Sequence, residues 1–296
     1  MRNTFAAEVV SHCNNDDTFF LTGDLGFMAL EDVRDAFGTR FINVGVAEQN
    51  MIGVAAGLAK EGNKVFTYSI APFSYARPFE QIRNDICPAK LPVCIVGNGG
   101  GYAYGHMGPT HHALEDCAVM TALGVRVLVP AFNEDISEMI KGITSPSYLR
   151  LGYDERPKNT EVPGYAPWRQ ILRGENGNLI ALGPLAGVAW QAFVASDIQD
   201  RPSIWAVTEL AMDYVPTDFW ADVEKKKLFV IEEHVAAGGL GMSIALTMLQ
   251  LGVSASEFSH RFALGYPTGR YGSQAFHRAQ CGLDVDGVRS MVMGSD

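Results

Sequence analysis

The stretch FINVGVAEQNMIGVAAGLA, residues 41–59, decides how the chain is read. With Arg40, its first part gives RFINVG, an apolar run that reads as a strand. AEQNMIGVAAGLAK, residues 47–60, then reads as a helix whose small residues allow close packing, and Gly62 supplies a stop signal. A strand that turns at once into a close-packing helix is a building unit of an α/β sheet.

The same rhythm extends outward. Residues 3–13 read as a helix with Phe5, Val9 and Val10 as apolar positions, TFFLTG (18–23) as a buried strand, and 29–37 as a helix. Downstream, KVFTYSI and LPVCIVGN are strands separated by a helix-like stretch at 77–86. A glycine-rich loop at 97–108, a helix at 113–123 and the strand VRVLVPA follow, then ISEMIKGI as a helix and SYLRLG as a strand. The polar, Pro/Gly-containing segment 154–167 interrupts the pattern. NLIALG, a helix at 186–197, SIWAVTE, a helix at 216–223, KLFVIEE and a helix from 239 resume it. We expect two successive three-layer α/β domains, 1–155 and 171–296, joined by a linker at 156–170. The interruption argues against a single α/β barrel.

Composition narrows the class. The 296 residues are 47% apolar and 19% charged, enough to bury a substantial core. A net charge of −10 argues against a general nucleic-acid binder, which wants a basic face, but leaves room for a local anion pocket. No run of about 18 apolar residues predicts a membrane span. MRNTFAAEVV is too polar for a secretory signal. The cysteines, Cys13, Cys87, Cys94, Cys117 and Cys281, are odd in number and none are spaced CxxC. That disfavours a disulfide framework or a structural zinc site and suggests a reducing, cytoplasmic setting.

Two segments carry candidate chemistry. In GVAEQN, Glu48 stands where a helix begins, and a carboxylate there gains from the amide dipoles. The plain alternative is a solvated first-turn glutamate. The loop GNGGGYAYGHMGPTHHALED, from Gly97, combines six glycines that permit close ligand approach with His106, His111 and His112. Adjacent histidines lack the helical spacing of a metal site, and Tyr102 stands where a dinucleotide fingerprint needs glycine. We therefore expect no metal ligand in this chain. YSIAPFSYARPF offers Tyr68, Phe73, Tyr75 and Phe79, a cluster that could stack a flat heterocycle or simply fill a core. EEHVAAGGLG, residues 232–241, reads mostly as a strand end, turn and helix start.

Taken together, FINVGVAEQNMIGVAAGLA, GPTHHALED, SPSYLRLG and LFVIEEHVAAGGLG resemble the C-terminal half of the transketolase family of thiamine-diphosphate enzymes, in the family's order and over most of the chain. The resemblance implies a pyrimidine-binding domain followed by the transketolase C-terminal domain. The family's GDG…N motif, which holds the diphosphate and Mg²⁺, has no match; Gly23-Asp24-Leu25-Gly26 is not that motif. The chain is therefore expected to be the smaller subunit of a split transketolase. A larger partner carrying GDG…N would supply the diphosphate and Mg²⁺ site, the leading assembly being α₂β₂.

Carried over residue by residue, the resemblance makes Glu48 the glutamate that hydrogen-bonds the cofactor's pyrimidine nitrogen, a role that asks for a carboxyl sharing a proton in a dry pocket. It sets Phe73 and Tyr75 against the pyrimidine ring and Asp24 at the interface near the cofactor. His111 becomes the substrate-facing histidine, with Arg2, His106 and Arg150 as further substrate contacts. Two departures matter. His106-Met107 replaces the usual acidic pair, and Met107 cannot accept a hydroxyl's hydrogen bond as a carboxylate does. Tyr153 stands where relatives often carry a phosphate-binding arginine. The expected reaction is therefore two-carbon ketol transfer on a specialised sugar. A deoxyxylulose-phosphate-synthase-like activity, a 2-oxoacid dehydrogenase β subunit and a noncatalytic scaffold subunit are the alternatives.

Overall fold

The computed structural model describes residues 1–294. Its first part runs α1 (Arg2–Cys13), β1 (Thr18–Thr22), α2 (Glu31–Phe37), β2 (Phe41–Asn43), α3 (Glu48–Lys60) and β3 (Lys64–Ile70). It continues through α4 (Ala71–Tyr75), α5 (Phe79–Gln81), β4 (Val93–Asn98), α6 (Asp116–Ala122), β5 (Arg126–Leu128), α7 (Asp135–Lys141) and β6 (Ser147–Leu151). The strands form one six-stranded sheet in the order β2-β1-β3-β4-β6-β5, with every pairing parallel.

Alternation along each strand makes this sheet the middle of three layers. Phe20, Phe66, Cys94, Val96, Leu128 and Leu149 face α1, α2 and α7. Leu21, Val65, Val93, Ile95, Val127 and Tyr148 face α3, α4 and α6. On α3 the buried side is Met51, Ile52, Ala55, Ala56 and Ala59, so small side chains bring the helix close to the strands.

The second part holds β7 (Trp168–Leu172), β8 (Asn178–Leu182), α8 (Leu185–Phe193), β9 (Ser203–Val207), α9 (Thr217–Val223), β10 (Lys227–Glu232), α10 (Leu240–Leu251), β11 (Glu257–Phe262), α11 (Gln274–Cys281) and α12 (Val285–Met293). Its sheet has the order β11-β10-β8-β9-β7, parallel except for the antiparallel edge pair β7–β9. Leu179, Ala181, Ile204, Phe229 and Ile231 pack toward α8 and α12, whereas Ile180, Leu182, Val207, Leu228 and Val230 face α9 and α10. This second face shares one apolar cluster with α3 and α6 of the first part, so the two sheets are joined by a continuous core.

The architecture is the expected α/β one, with differences in detail. The irregular stretch ends earlier than the 156–170 linker expected, because Trp168 already begins β7. The helix expected at 77–86 is a short α5 followed by a π-helical turn at Ile82–Ile86. The helix expected at 113–123 starts only at Asp116, because Ala113 is tied to Gly101 as an isolated β-bridge.

Candidate active site

In a parallel sheet, the crevice where strand order reverses lies beyond the strands' carboxyl ends. Here the chain passes from β1 to β2 on one side and returns to β3 on the other. Glu48, in the first turn of α3, fills that crevice and is 3% exposed. Its Oε1 accepts from Ser69 Oγ at the end of β3 (3.1 Å), and its Oε2 from Arg77 (2.8 Å). Gly23, just after β1, borders the carboxylate: a Cβ there would stand in ordinary contact, 3.6 Å from Oε1.

Arg77 is the residue the sequence reading missed. Its guanidinium lies 3.8 Å from the Phe73 ring centroid while it donates to Glu48. The signal was present in PFSYAR, since an arginine four residues after an aromatic on a helical turn can lie over its ring. Phe73 in turn meets His111 edge-on at 5.1 Å, and Tyr104 lies 6.3 Å from His111. The Tyr104 hydroxyl accepts from Asn98 (2.7 Å), which borders a pocket of about 360 Å³ together with Arg2, Asn3, Gly99, Gly152 and Tyr153. Glu48, Arg77, Phe73, His111, Tyr104 and the Arg2 pocket thus form one contiguous line across the strand ends.

His111 bonds Thr110 through Nδ1 (2.9 Å), and among the described residues no group takes up its Nε2. Asp24 sits at φ 60 with its carboxylate tied to Asn43 (3.0 Å), exposed beside the crevice. His106 is exposed on the same loop as His111. Tyr75 belongs to the core: it is 8% exposed, its hydroxyl donates to Glu115, and burial raises its pKa.

Arg150 needs correction as a substrate contact. It is 5% exposed, pairs with Asp116 (3.0 Å) and donates to the carbonyls of Ala113 and Glu233. Its charge is spent inside the protein because β6 points it beneath the glycine loop; a Cβ on Gly100 would stand 2.2 Å from its Nε. Asp116, Cys117 and His234 also gather, but both nitrogens of His234 are engaged, by the Val235 carbonyl and the Ala118 amide, and burial raises the Cys117 thiol.

The EEHVAAGGLG segment is a capping device. Glu232 accepts from the amides of Leu240 (2.8 Å) and Gly241 (3.0 Å) and from His260 (2.8 Å). Gly239 and Gly241 are needed there, since Cβ atoms would meet Glu232 and His260 at 2.4 Å.

The transketolase pyrimidine-binding domain family matches residues 1–153, just over half of the chain. A Phocaeicola vulgatus protein, named as one of the subunits of an apulose-4-phosphate transketolase, is 31% identical over 266 residues, covering 83% of this chain and 83% of that one. The chain belongs to the transketolase family. Its transketolase relatives include a Methanocaldococcus jannaschii protein named putative transketolase C-terminal section, 32% identical over 87% of this chain and 83% of its own. A solved structure titled split gene transketolase, inactive beta4 tetramer superposes with a TM-score of 0.80 at 26% identity, covering 99% of this chain and 96% of that one. The expectation of a C-terminal, split-type transketolase chain therefore holds. Membership makes it a transferase component whose family depends on thiamine diphosphate. Among the described residues, no helix is long and apolar enough to cross a membrane.

Proposed function

We propose that this chain is the small subunit of a split, cytoplasmic transketolase that transfers a two-carbon ketol unit from a specialised sugar, with the active site completed by a larger GDG…N subunit in an α₂β₂ assembly. The observation that carries the reading is the Arg77 guanidinium. It is flat, donates to Glu48 and lies on Phe73. A pyrimidine ring would occupy the same place, lying on Phe73 and hydrogen-bonding Glu48 in the opposite sense, its nitrogen accepting from the carboxyl, so the residues fit that part of thiamine diphosphate. Gly23, Asp24, Asn43 and Ser69 around Glu48 offer no cationic cradle for a diphosphate, which suits a partner that binds Mg²⁺ and the diphosphate. The division into two domains, at the irregular stretch that ends where β7 begins at Trp168, belongs to the same proposal.

When bound, thiamine diphosphate supplies a carbon nucleophile that takes up and hands on a ketol unit. In our reading Glu48 holds a proton at the pyrimidine nitrogen, and Arg77 yields its place to the ring. Phe73 packs on the ring, and Tyr75 supports it from the core. Asp24 approaches the cofactor from the interface. His111 presents its open Nε2 to substrate hydroxyls, with His106 at the loop's outer edge. The Arg2 pocket receives the distal end of the sugar. Relatives named for apulose-4-phosphate support a specialised sugar phosphate, with Arg2 as the anion's partner and the Tyr153 hydroxyl beside it.

The same reading puts the partner's docking surface beside Glu48. Phe27 and Met28 are 83% and 74% exposed on the loop after Asp24, and Val46 is 72% exposed just before Glu48. Side chains this apolar beside a half-built site are what the larger subunit would cover.

The test is coexpression with a candidate GDG…N subunit, followed by calorimetric titration with thiamine diphosphate and assay of ketol transfer from ketose donors. We expect binding and transfer, without carbon dioxide release, only in the complex. Full cofactor affinity of the chain alone would overturn the split site. A donor requirement for a 2-oxoacid, with carbon dioxide released, would favour the synthase or dehydrogenase alternative. Turnover lost on Glu48→Ala would reject a scaffold role.

A further inference from the structure

The second part of the chain reaches the loop that carries His111. Tyr102, fully buried, donates its backbone N–H to Glu233 (2.7 Å) and its hydroxyl to the Gly265 carbonyl (2.8 Å), and its ring stacks on His277 at 4.6 Å. Glu233 is held in turn by Arg278 (2.7 Å) and Gln274 (3.0 Å). His112, adjacent to His111 and 4% exposed, donates from Nε2 to the Gly105 carbonyl (3.1 Å). With that proton on Nε2, its Nδ1 accepts from the Tyr266 hydroxyl (2.8 Å). Glycine makes the approach possible: a Cβ on Gly101 would meet Glu233 at 2.6 Å, and one on Gly105 would meet the Gly272 carbonyl at 2.4 Å.

We propose that Tyr266, acting through His112, is a positioning residue for His111, so that the second domain sets the geometry of a substrate loop it does not itself form. His111 has no strand or long helix to fix it; it ends a 3₁₀ turn at Pro109–His111 in a loop with Gly99, Gly101 and Gly108 at positive φ. A glycine-rich loop holds an atomic position only if something outside it removes its freedom. The clamp does so on both sides of His111, at Tyr102 before it and at His112 directly after it. Burial lowers the pKa of His112, and with it the neutral ring that accepts from Tyr266 is favoured; burial also pushes the Tyr266 hydroxyl up to about 12, so it stays a donor. The inference takes from the proposed function only the role of His111.

Tyr266→Phe tests it, because the variant removes one hydroxyl and keeps the ring packed against His112 and Tyr271. In the assembled enzyme, with fructose 6-phosphate as ketose donor and glycolaldehyde as acceptor, we expect kcat to fall roughly tenfold while the Kd of thiamine diphosphate stays within twofold. His112→Gln, which keeps one donor and one acceptor, should retain more activity than His112→Leu. Independently of turnover, ¹⁵N-histidine spectra of the chain should show the His111 ring resonances moved in Tyr266→Phe. Unmoved His111 resonances overturn the clamp whatever the enzyme does. Moved resonances with unchanged kcat separate the two readings, leaving the clamp intact and removing His111 from catalysis. A parallel loss of cofactor affinity would show general loosening and overturn the positioning role.

Discussion

At the scale of single residues, chemistry and burial pull in opposite directions. Glu48 is placed where water is excluded, and in the isolated chain Arg77 pairs with it. Replacing Glu48 with Gln keeps the size and removes the carboxylate; we expect ketol transfer by the complex to fall by about 10²-fold or more, with circular dichroism unchanged. Arg77→Met removes the group that lies on Glu48 and Phe73, where the proposed function seats the pyrimidine. Fluorescence titration of the complex should then show severalfold tighter thiamine diphosphate binding; weaker binding would mean Arg77 assists the cofactor instead of making way for it. The histidines of the clamp give a pH signature. His112 and His277 are both held below their usual 6.5, chiefly by burial. The unfolded chain therefore binds more protons, so their contribution is complete above about pH 6.5 and is lost as pH falls toward the folded values. Urea midpoints should drop between roughly pH 7 and 5.5, and His112→Gln should flatten that slope. The groups facing His112 are Tyr102, Tyr266, His277 and the more distant Glu233, so the slope belongs to the cluster.

At the scale of elements, buried carboxylates fix the ends of helices and strands. Glu232 serves the first two amides of α10 and His260 on β11, so one residue joins a strand end, a helix start and an edge strand. Glu232→Ala leaves two buried amides unpaired and should cost about 2–4 kcal/mol in chemical denaturation. Arg150 on β6 secures Asp116 at the start of α6, where Tyr148 also donates to it (2.7 Å). Removing the guanidinium strands a buried charge; Arg150→Ala should lose about 3–5 kcal/mol of stability. A substrate contact would instead lose activity with stability unchanged, so denaturation distinguishes the two roles.

At the scale of the whole molecule, one face of each sheet drains into a common apolar cluster. The second sheet is therefore anchored where it can hold the His111 loop. Phe27, Met28 and Val46 are exposed elsewhere, on the loops beside Glu48, while Met242, Leu246 and Leu249 form a separate exposed apolar row on α10. Phe27→Asp should weaken association with the larger subunit at least tenfold, about 1.4 kcal/mol, in calorimetric titration, without shifting the unfolding midpoint of the chain alone.

Much of this protein is local information. Strand and helix order, the start of α3 at Glu48, the glycine turns and the family strings are set by side-chain periodicity and by conformations that few residues tolerate. Glu48 and His111 could be nominated as candidates because short motifs carry them. The pairing of Arg77 with Glu48 and of Tyr266 with His112 was not legible, since those partners lie 29 and 154 residues away along the chain. The same reason hid the true place of Arg150: a cation in SYLRLG looks available until the sheet sets Asp116 beside it. β11 is an edge strand with little alternation, whereas α11 and α12 are amphipathic helices that the strand-and-helix order alone did not name. Sequence determined which groups the protein owns and the elements that present them. Only the tertiary structure decided which charges are spent on one another and which remain open to a ligand, because burial and pairing depend on neighbours that the chain brings together across space.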